Sequence, residues 1–261
     1  MATYVLVHGG FDSGRRWIPV ATLLRQVGHR VYTPTLLGIG ERAHLASSET
    51  GLYAQVQDVI ELFHTNDLRD VILVGHSYGG MVITAIAGEI PDRIAHLIYL
   101  DAMAPHDGEA VADIIPRLVN RMRKQAVAHG DGWWLPAGAW LPHLGKIVSR
   151  VIGFFEGHHE DPADQNVTGA PLRMFEEPIH MTHPDLMSSI PRTYIVCTGG
   201  TLVGQLLMTG FRSALHPRLR PPRGPNWRHR RLPTTHRAMI TMPHEVARLL
   251  LEPATGEPQL R

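Results

Sequence analysis

Short apolar segments alternate with amphipathic segments along most of the chain. Apolar runs that close on Gly, Pro or Asp predict buried strands, and apolar residues spaced three and four positions apart predict helices. Strands are expected over residues 3–8, 30–34, 71–74, 94–100, 192–197 and 227–232, and helices over 16–27, 52–65, 78–89 and 238–251. This alternation predicts an α/β fold, in which a mostly parallel sheet carries helices on both faces.

One long stretch, residues 105–190, interrupts the alternation. It is rich in Pro, Gly, Trp and His, with helical segments expected near 109–128 and 143–153. We interpret it as a lid inserted over the carboxyl ends of the strands, where open α/β sheets bind their ligands. The core domain would then comprise residues 1–104 and 191–261.

The charge balance argues against a highly charged partner. Lys and Arg number 25 and Asp and Glu 24, so nothing favours nucleic acid or an anionic membrane in general. The arginine-rich segment 212–231 also contains prolines, and we expect it to be solvated and irregular. Cys197 is the one cysteine, which excludes an internal disulfide, and the N-terminal residues lack a signal-peptide pattern. A cytoplasmic protein with a small-molecule partner is therefore expected, and a homodimer is left open.

A possible nucleophile lies between a predicted strand and a predicted helix. In Gly75-His76-Ser77-Tyr78-Gly79 the serine would take a strained backbone that lifts its hydroxyl clear of the sheet, with glycines where side chains would collide. The following helix N-terminus favours developing negative charge. This placement predicts Ser77 as the nucleophile. The alternative is a glycine-rich turn with an incidental serine.

Four motifs together carry a family resemblance: Leu6–Gly10, Val74–Met81, Tyr99–Ala102 and Thr235–Met239. The chain resembles the α/β-hydrolase superfamily, and within it the branch of plant methyl-ester esterases, hydroxynitrile lyases and their bacterial esterase relatives. The resemblance implies the α/β-hydrolase fold and a serine-histidine-acid mechanism. It covers almost the whole chain and is weakest over 200–226.

The base must come late in the chain, because this fold orders its triad as serine, acid, histidine. His236 follows the last predicted strand in a loop, from which its ring can reach a serine hydroxyl. His229 falls within the strand and His244 within the following helix. We therefore predict His236 as the base.

The acid is predicted from the positions that remain. In the lyases and plant esterases it follows the strand before the last one, but residues 186–244 of this chain contain neither Asp nor Glu. Asp101 ends the strand after the nucleophile helix, a position that some lipases and dehalogenases use. We predict that it accepts a hydrogen bond from His236 Nδ1. Asp107 is a weaker candidate, and a strand-end cap is the alternative role for Asp101.

The oxyanion that forms during acyl transfer needs two donors. One is the N–H of Tyr78, and the resemblance implies that the other is the N–H of Gly10, although Gly9 and Gly10 can also form a plain tight turn. Aromatic residues are expected partly as lid core and partly as pocket lining. The residues expected to bind substrate are Gly9, Phe11, Trp133 and Trp134.

These features predict a serine hydrolase that cleaves a small to medium, largely apolar carboxylic ester through an acyl-enzyme, without cofactor or metal. The adjacent pair His158 and His159 has poor geometry for chelating one ion. Two other functions stay open: cyanohydrin cleavage by the same triad, and ligand binding without catalysis. Arg237 supplies a cation after the histidine as in hydroxynitrile lyases, whereas Gly9 is esterase-like.

Overall fold

A six-stranded parallel sheet forms the centre of the molecule. The computed structural model describes residues 1–137, 168–199 and 221–254. The strands of the sheet are β1 (Thr3–Val7), β2 (Arg30–Tyr32), β3 (Val71–His76), β4 (Ile94–Leu100), β7 (Arg192–Cys197) and β8 (Trp227–Leu232). Their order across the sheet is β2-β1-β3-β4-β7-β8, and a separate antiparallel pair joins β5 (Trp134–Leu135) to β6 (Ala170–Pro171).

Helices connect most of these strands. The described α-helices are α1 (Ile18–Gln26), α2 (Leu52–Thr65), α3 (Gly79–Glu89), α4 (Val111–Ile114), α5 (Pro116–His129), α6 (Arg173–Glu176), α7 (Pro184–Ser189), α8 (Ala238–Thr241) and α9 (Pro243–Leu251). Short 3-10 turns cover Gly14–Trp17, Gly40–Leu45, Pro91–Arg93 and Glu252–Ala254. None of the described helices is long and apolar enough to cross a bilayer.

Two hydrophobic cores lie on opposite faces of the sheet. Strand β1 shows why, because successive side chains of a strand point to opposite sides. Its Tyr4 and Leu6 pack into the core formed with α1 and α9, whereas Val5 and Val7 pack into the core formed with α2 and α3. Every residue of this strand is buried, as expected for a parallel sheet covered on both faces. The predicted fold class is confirmed.

Prolines explain where the predicted helix bounds were wrong. The expected helix 238–251 is two helices, because Pro243 lacks the N–H that would continue α8. The expected helix 109–128 is likewise divided into α4 and α5 just before Pro116. Strand β2 stops at Tyr32, two residues before Pro34. All six predicted strands are present, with ends shifted by up to two residues.

The described parts of the inserted stretch are α4 to α7 and the β5–β6 pair. The helix expected near 143–153 and residues 212–220 of the arginine-rich segment lie outside the described residues. The division of the chain into core and lid stays a prediction.

Candidate active site

Ser77 occupies a sharp turn between β3 and α3. Its φ of 55° lies in the left-handed region, which costs a residue with a Cβ about 1–3 kcal/mol. Neighbouring backbone holds the turn in place: the Ser77 carbonyl accepts N–H groups of Gly80 at 3.1 Å and Met103 at 3.0 Å. The Ser77 residue is partly exposed, while its neighbours on both sides are buried. The backbone conformation predicted for this turn is confirmed.

The two motif glycines are required by close backbone approaches. A Cβ on Gly75 would lie 2.5 Å from the carbonyl oxygen of Gly79, and one on Gly79 would lie 2.7 Å from that of His8. Both distances are too short for any side chain to be accommodated without backbone movement. The turn can therefore form only with glycine on each side of Ser77.

His236 and Asp101 are in direct contact. The Nδ1–H of His236 donates to Asp101 Oδ2 at 2.6 Å, and this assignment follows because an ionised carboxylate only accepts. The Asp101 side chain is 1% exposed and the His236 side chain 36% exposed. The predicted hydrogen bond is thus present, with a buried carboxylate behind a partly accessible imidazole.

A second hydrogen bond orients the Asp101 carboxylate. The backbone N–H of Cys197, at the end of β7, donates to Asp101 Oδ1 at 3.0 Å. Asp101 has a φ of 47°, a left-handed conformation in which Asp is enriched, and its own N–H donates to the carbonyl of Ile195. The carboxylate therefore also bonds backbone beyond its own strand, as the capping alternative anticipated.

The loop after β1 lies against the nucleophile turn. A Cβ on Gly9 would lie 3.1 Å from the Ser77 Cβ, and one on Gly10 would lie 3.6 Å from the Tyr78 Cβ. Buried His8 fixes this loop. Its Nδ1–H donates to the Gly9 carbonyl at 2.7 Å, and its Nε2 accepts the N–H of Leu36 at 3.0 Å. Burial lowers the pKa of His8, which keeps the ring in this neutral form.

An aromatic cluster stands beside this loop. Phe175, from α6, stacks on Phe11 with ring centroids 5.5 Å apart and meets the Tyr78 ring edge-on at 5.6 Å. Phe11 has a φ of 64° and is almost fully buried. The Tyr78 hydroxyl donates to Gln55 Oε1 at 2.9 Å, and this bond to α2 fixes the orientation of the Tyr78 ring. The residue that follows Ser77 is thus part of an aromatic cluster.

Several other candidates lie elsewhere. Trp133 and Trp134 meet edge-on at 5.7 Å, and Trp134 covers Gly169 beside the β5–β6 pair. Their contribution to substrate binding stays a prediction. Asp107 accepts the N–H of Met181 at 2.7 Å. His229 lies on β8 and His244 in α9, as the sequence predicted.

Sequence reasoning missed three contributors to this region. Phe175 gave no signal, because it lies in an irregular part of the presumed lid. Gln55 looked like an ordinary position of a helix, although it is fully buried. His76 occupies a position that the Gly-x-Ser-x-Gly motif leaves unspecified, yet its Nε2 lies 2.8 Å from the carbonyl oxygen of His236. Each acts through partners far away in the sequence.

Comparison with known proteins places this geometry in a family. The model of a family described as alpha/beta hydrolase matches residues 4–249, nearly the whole chain. The chain belongs to the alpha/beta hydrolase family. Salicylic acid-binding protein 2 of Nicotiana tabacum is 32% identical to this hydrolase over 207 residues, which are 75% of this chain and 78% of that protein.

Two further comparisons are informative. The carbendazim hydrolyzing esterase of Nocardioides sp. (strain SG-4G) is 46% identical over 117 residues, 45% of this chain and 48% of that protein, so the match spans about half the length of that relative. The crystal structure of a pyrethroid hydrolase from Sphingobium faniae JZ-2 has a TM-score of 0.70 at 24% identity and covers 98% of both chains. That similarity shows the fold alone. The relatives confirm the predicted family and its esterase branch, and they support carboxylester hydrolysis.

No group of three or more His, Cys, Asp or Glu side chains that could hold a metal ion occurs within residues 1–137, 168–199 and 221–254. The pair His158 and His159 lies outside these ranges.

Proposed function

We propose that this hydrolase cleaves a small to medium, largely apolar carboxylic ester through an acyl-enzyme on Ser77. The observation that carries the proposal is the 2.6 Å hydrogen bond between His236 and the buried Asp101. A carboxylate at Nδ1 fixes the tautomer in which Nε2 can accept a proton, as a general base requires. Ser77, Asp101 and His236 follow the carboxyl ends of β3, β4 and β8, three strands of one parallel sheet, and open α/β sheets bind their ligands at that edge.

The proposed reaction begins with attack by Ser77 Oγ on the ester carbonyl. His236 Nε2 takes the hydroxyl proton, and the Asp101 carboxylate stabilises the imidazolium that forms. The N–H groups of Tyr78 and Gly10 stabilise the oxyanion. The C–O bond to the alcohol then breaks, and His236 returns its proton to the leaving oxygen. Water, deprotonated by the same histidine, then attacks the acyl carbonyl. The bond to Ser77 Oγ breaks, the acid is released, and His236 returns the proton to Oγ.

The preference for an apolar substrate rests on the rings beside the turn. The aromatic cluster consists of Phe11, Phe175 and Tyr78. In the loop after β1, the residue that lies against Ser77 is Gly9, which has no side chain. Such surfaces favour an apolar acyl or alcohol group over a charged one. The esterase and hydrolase names of the relatives support the same class of substrate chemistry.

The test is hydrolysis of p-nitrophenyl acetate and butyrate by the full chain. We expect wild-type turnover and a loss of about a millionfold in Ser77→Ala, because the triad acts as one unit. Ser188→Ala, an exposed serine on α7, is the matched control and should keep full activity. Unchanged hydrolysis by Ser77→Ala would contradict the proposal. Cyanide release from mandelonitrile without ester cleavage would favour the lyase instead.

A further inference from the structure

His76 connects the nucleophile turn to the loop that carries His236. It directly precedes Ser77, and its Nε2 lies 2.8 Å from the main-chain carbonyl oxygen of His236, 160 positions along the chain. The two imidazole rings also pack together, with centroids 4.5 Å apart and planes inclined by 42°. The His76 residue is only 5% exposed.

The partner fixes the tautomer of His76. A carbonyl oxygen only accepts, so Nε2 must carry the proton and Nδ1 a lone pair. This buried Nδ1 has no hydrogen-bond partner among the described residues, although it lies close to Gly9. A buried acceptor without a partner typically costs about 1–3 kcal/mol. An apolar side chain would avoid that cost, so stability alone does not account for a histidine here.

The surroundings also keep the ring uncharged. Burial, assisted by the neighbouring His236, lowers the pKa of His76 to about 3. Near neutral pH the ring is therefore a neutral donor. A second positive charge beside His236 would oppose formation of the imidazolium, and a neutral ring does not.

We propose that His76 is a positioning residue, which holds the His236 backbone so that the imidazole faces Ser77. This inference rests on the proposed function. Ser77 follows β3, whereas His236 follows β8, and β4 and β7 separate these strands in the sheet. Asp101 holds the imidazole at Nδ1, and His76 holds the backbone of the same residue. Two attachments of this kind define both the place and the rotation of the base.

Two substitutions separate the hydrogen bond from the ring. In His76→Gln the amide nitrogen can occupy the position of Nε2 and donate to the His236 carbonyl. In His76→Phe the ring remains but the donor is lost. We expect His76→Phe to lower kcat for p-nitrophenyl butyrate about 10- to 100-fold, because a misplaced base loses reaction geometry, and to leave KM nearly unchanged. His76→Gln should keep kcat within about threefold of wild type, because its amide nitrogen still donates to the His236 carbonyl and the base stays in place.

A spectroscopic readout tests the contact without any substrate. The proton shared by His236 Nδ1 and Asp101 should give a far-downfield NMR resonance in the wild type and in His76→Gln. In His76→Phe we expect this resonance to broaden or vanish, because the imidazole is no longer held. Thermal unfolding of each variant shows that the chain is folded. His76→Asn, whose shorter amide does not reach the carbonyl, replaces the Phe variant if that one fails to fold.

Two results would overturn the inference. One is wild-type kcat together with an intact downfield resonance in folded His76→Phe. The other is an equal loss of kcat in folded His76→Gln and His76→Phe, which would assign the effect to packing. Failure of the proposed function is distinguishable, because hydrolysis would then be absent from the wild type or would survive Ser77→Ala, while the NMR comparison still reports on His76.

Discussion

Replacing Asp101 by Asn should nearly abolish turnover and leave the fold intact. Asn is isosteric with Asp and also tolerates the left-handed backbone that residue 101 adopts. The Cys197 N–H can only donate, so the Asn oxygen should stay at the position of Oδ1 and keep that bond. The amide nitrogen then faces His236 Nδ1, which must become an acceptor. The imidazole proton moves to Nε2, and a protonated Nε2 cannot accept the proton of Ser77.

The expected magnitude follows from these contacts. Turning the amide to restore the productive tautomer would leave the Cys197 N–H buried without its acceptor, at a cost of about 1–3 kcal/mol. Each 1.4 kcal/mol corresponds to about a tenfold loss of rate, so the cost of the unsatisfied Cys197 N–H alone lowers kcat about 10- to 100-fold. The carboxylate charge that stabilises the imidazolium is lost as well, which brings the expected decrease in kcat to about 10⁴-fold.

The assay compares kcat for p-nitrophenyl butyrate in wild type, Asp101→Asn and Asp107→Asn, together with thermal unfolding. Asp107 is the matched control, because its Oδ1 accepts the N–H of Met181 and an Asn oxygen can do the same. It should keep full activity. A folded Asp101→Asn within tenfold of wild type, or a comparable loss in Asp107→Asn, would refute the assignment of the acid.

Three further predictions follow from the structure. His236→Ala should lose nearly as much turnover of p-nitrophenyl butyrate as Ser77→Ala. His229→Ala, at an exposed position of β8, should lose little. A larger loss in His229→Ala than in His236→Ala would show that the base is misassigned. Phe175→Ala should raise the ratio of kcat/KM for butyrate to that for acetate, because its ring borders Gly10 in the loop after β1. The same change should lower the free energy of unfolding by about 3–5 kcal/mol. An unchanged ratio would place the acyl group elsewhere. His96 is buried, and burial lowers its pKa to about 4. Between pH 6.5 and 4 the unfolded chain therefore binds more protons than the folded chain, so stability falls as the pH falls through that window. His96→Gln should reduce the slope of the urea-unfolding free energy against pH by up to about 1.4 kcal/mol per pH unit, and an unchanged slope would contradict this prediction.

Much of the fold could be predicted, because its signals are local. A buried parallel strand is a continuous apolar run, and β3 and β4 are buried almost throughout. The nucleophile turn could be predicted for the same reason, since its glycines and Ser77 are adjacent in sequence. The contact of Asp101 with His236 could be predicted by elimination and by position, because residues 186–244 contain no carboxylate and Asp101 ends the strand that follows the helix after Ser77.

What could not be predicted depends on contacts between distant segments. The stacking of Phe175 on Phe11 joins α6 to the loop after β1, and no periodicity marks either residue. The hydrogen bond from His76 to the His236 carbonyl is set by how β3 and β8 are placed in the sheet. By contrast, Pro243 marks the division of the last helix in the sequence itself, although the apolar spacing continues across it.

The most direct test of the account is to find which residue becomes covalently attached to a serine-directed fluorophosphonate. The wild-type chain, treated with the probe and digested, should carry one adduct by mass spectrometry, on the peptide that contains Ser77. Ser77→Ala should carry none, and His236→Ala should react far more slowly, because the hydroxyl has lost its base. An adduct on any other residue, or labelling that survives in Ser77→Ala, would contradict the assignment of Ser77 as the nucleophile.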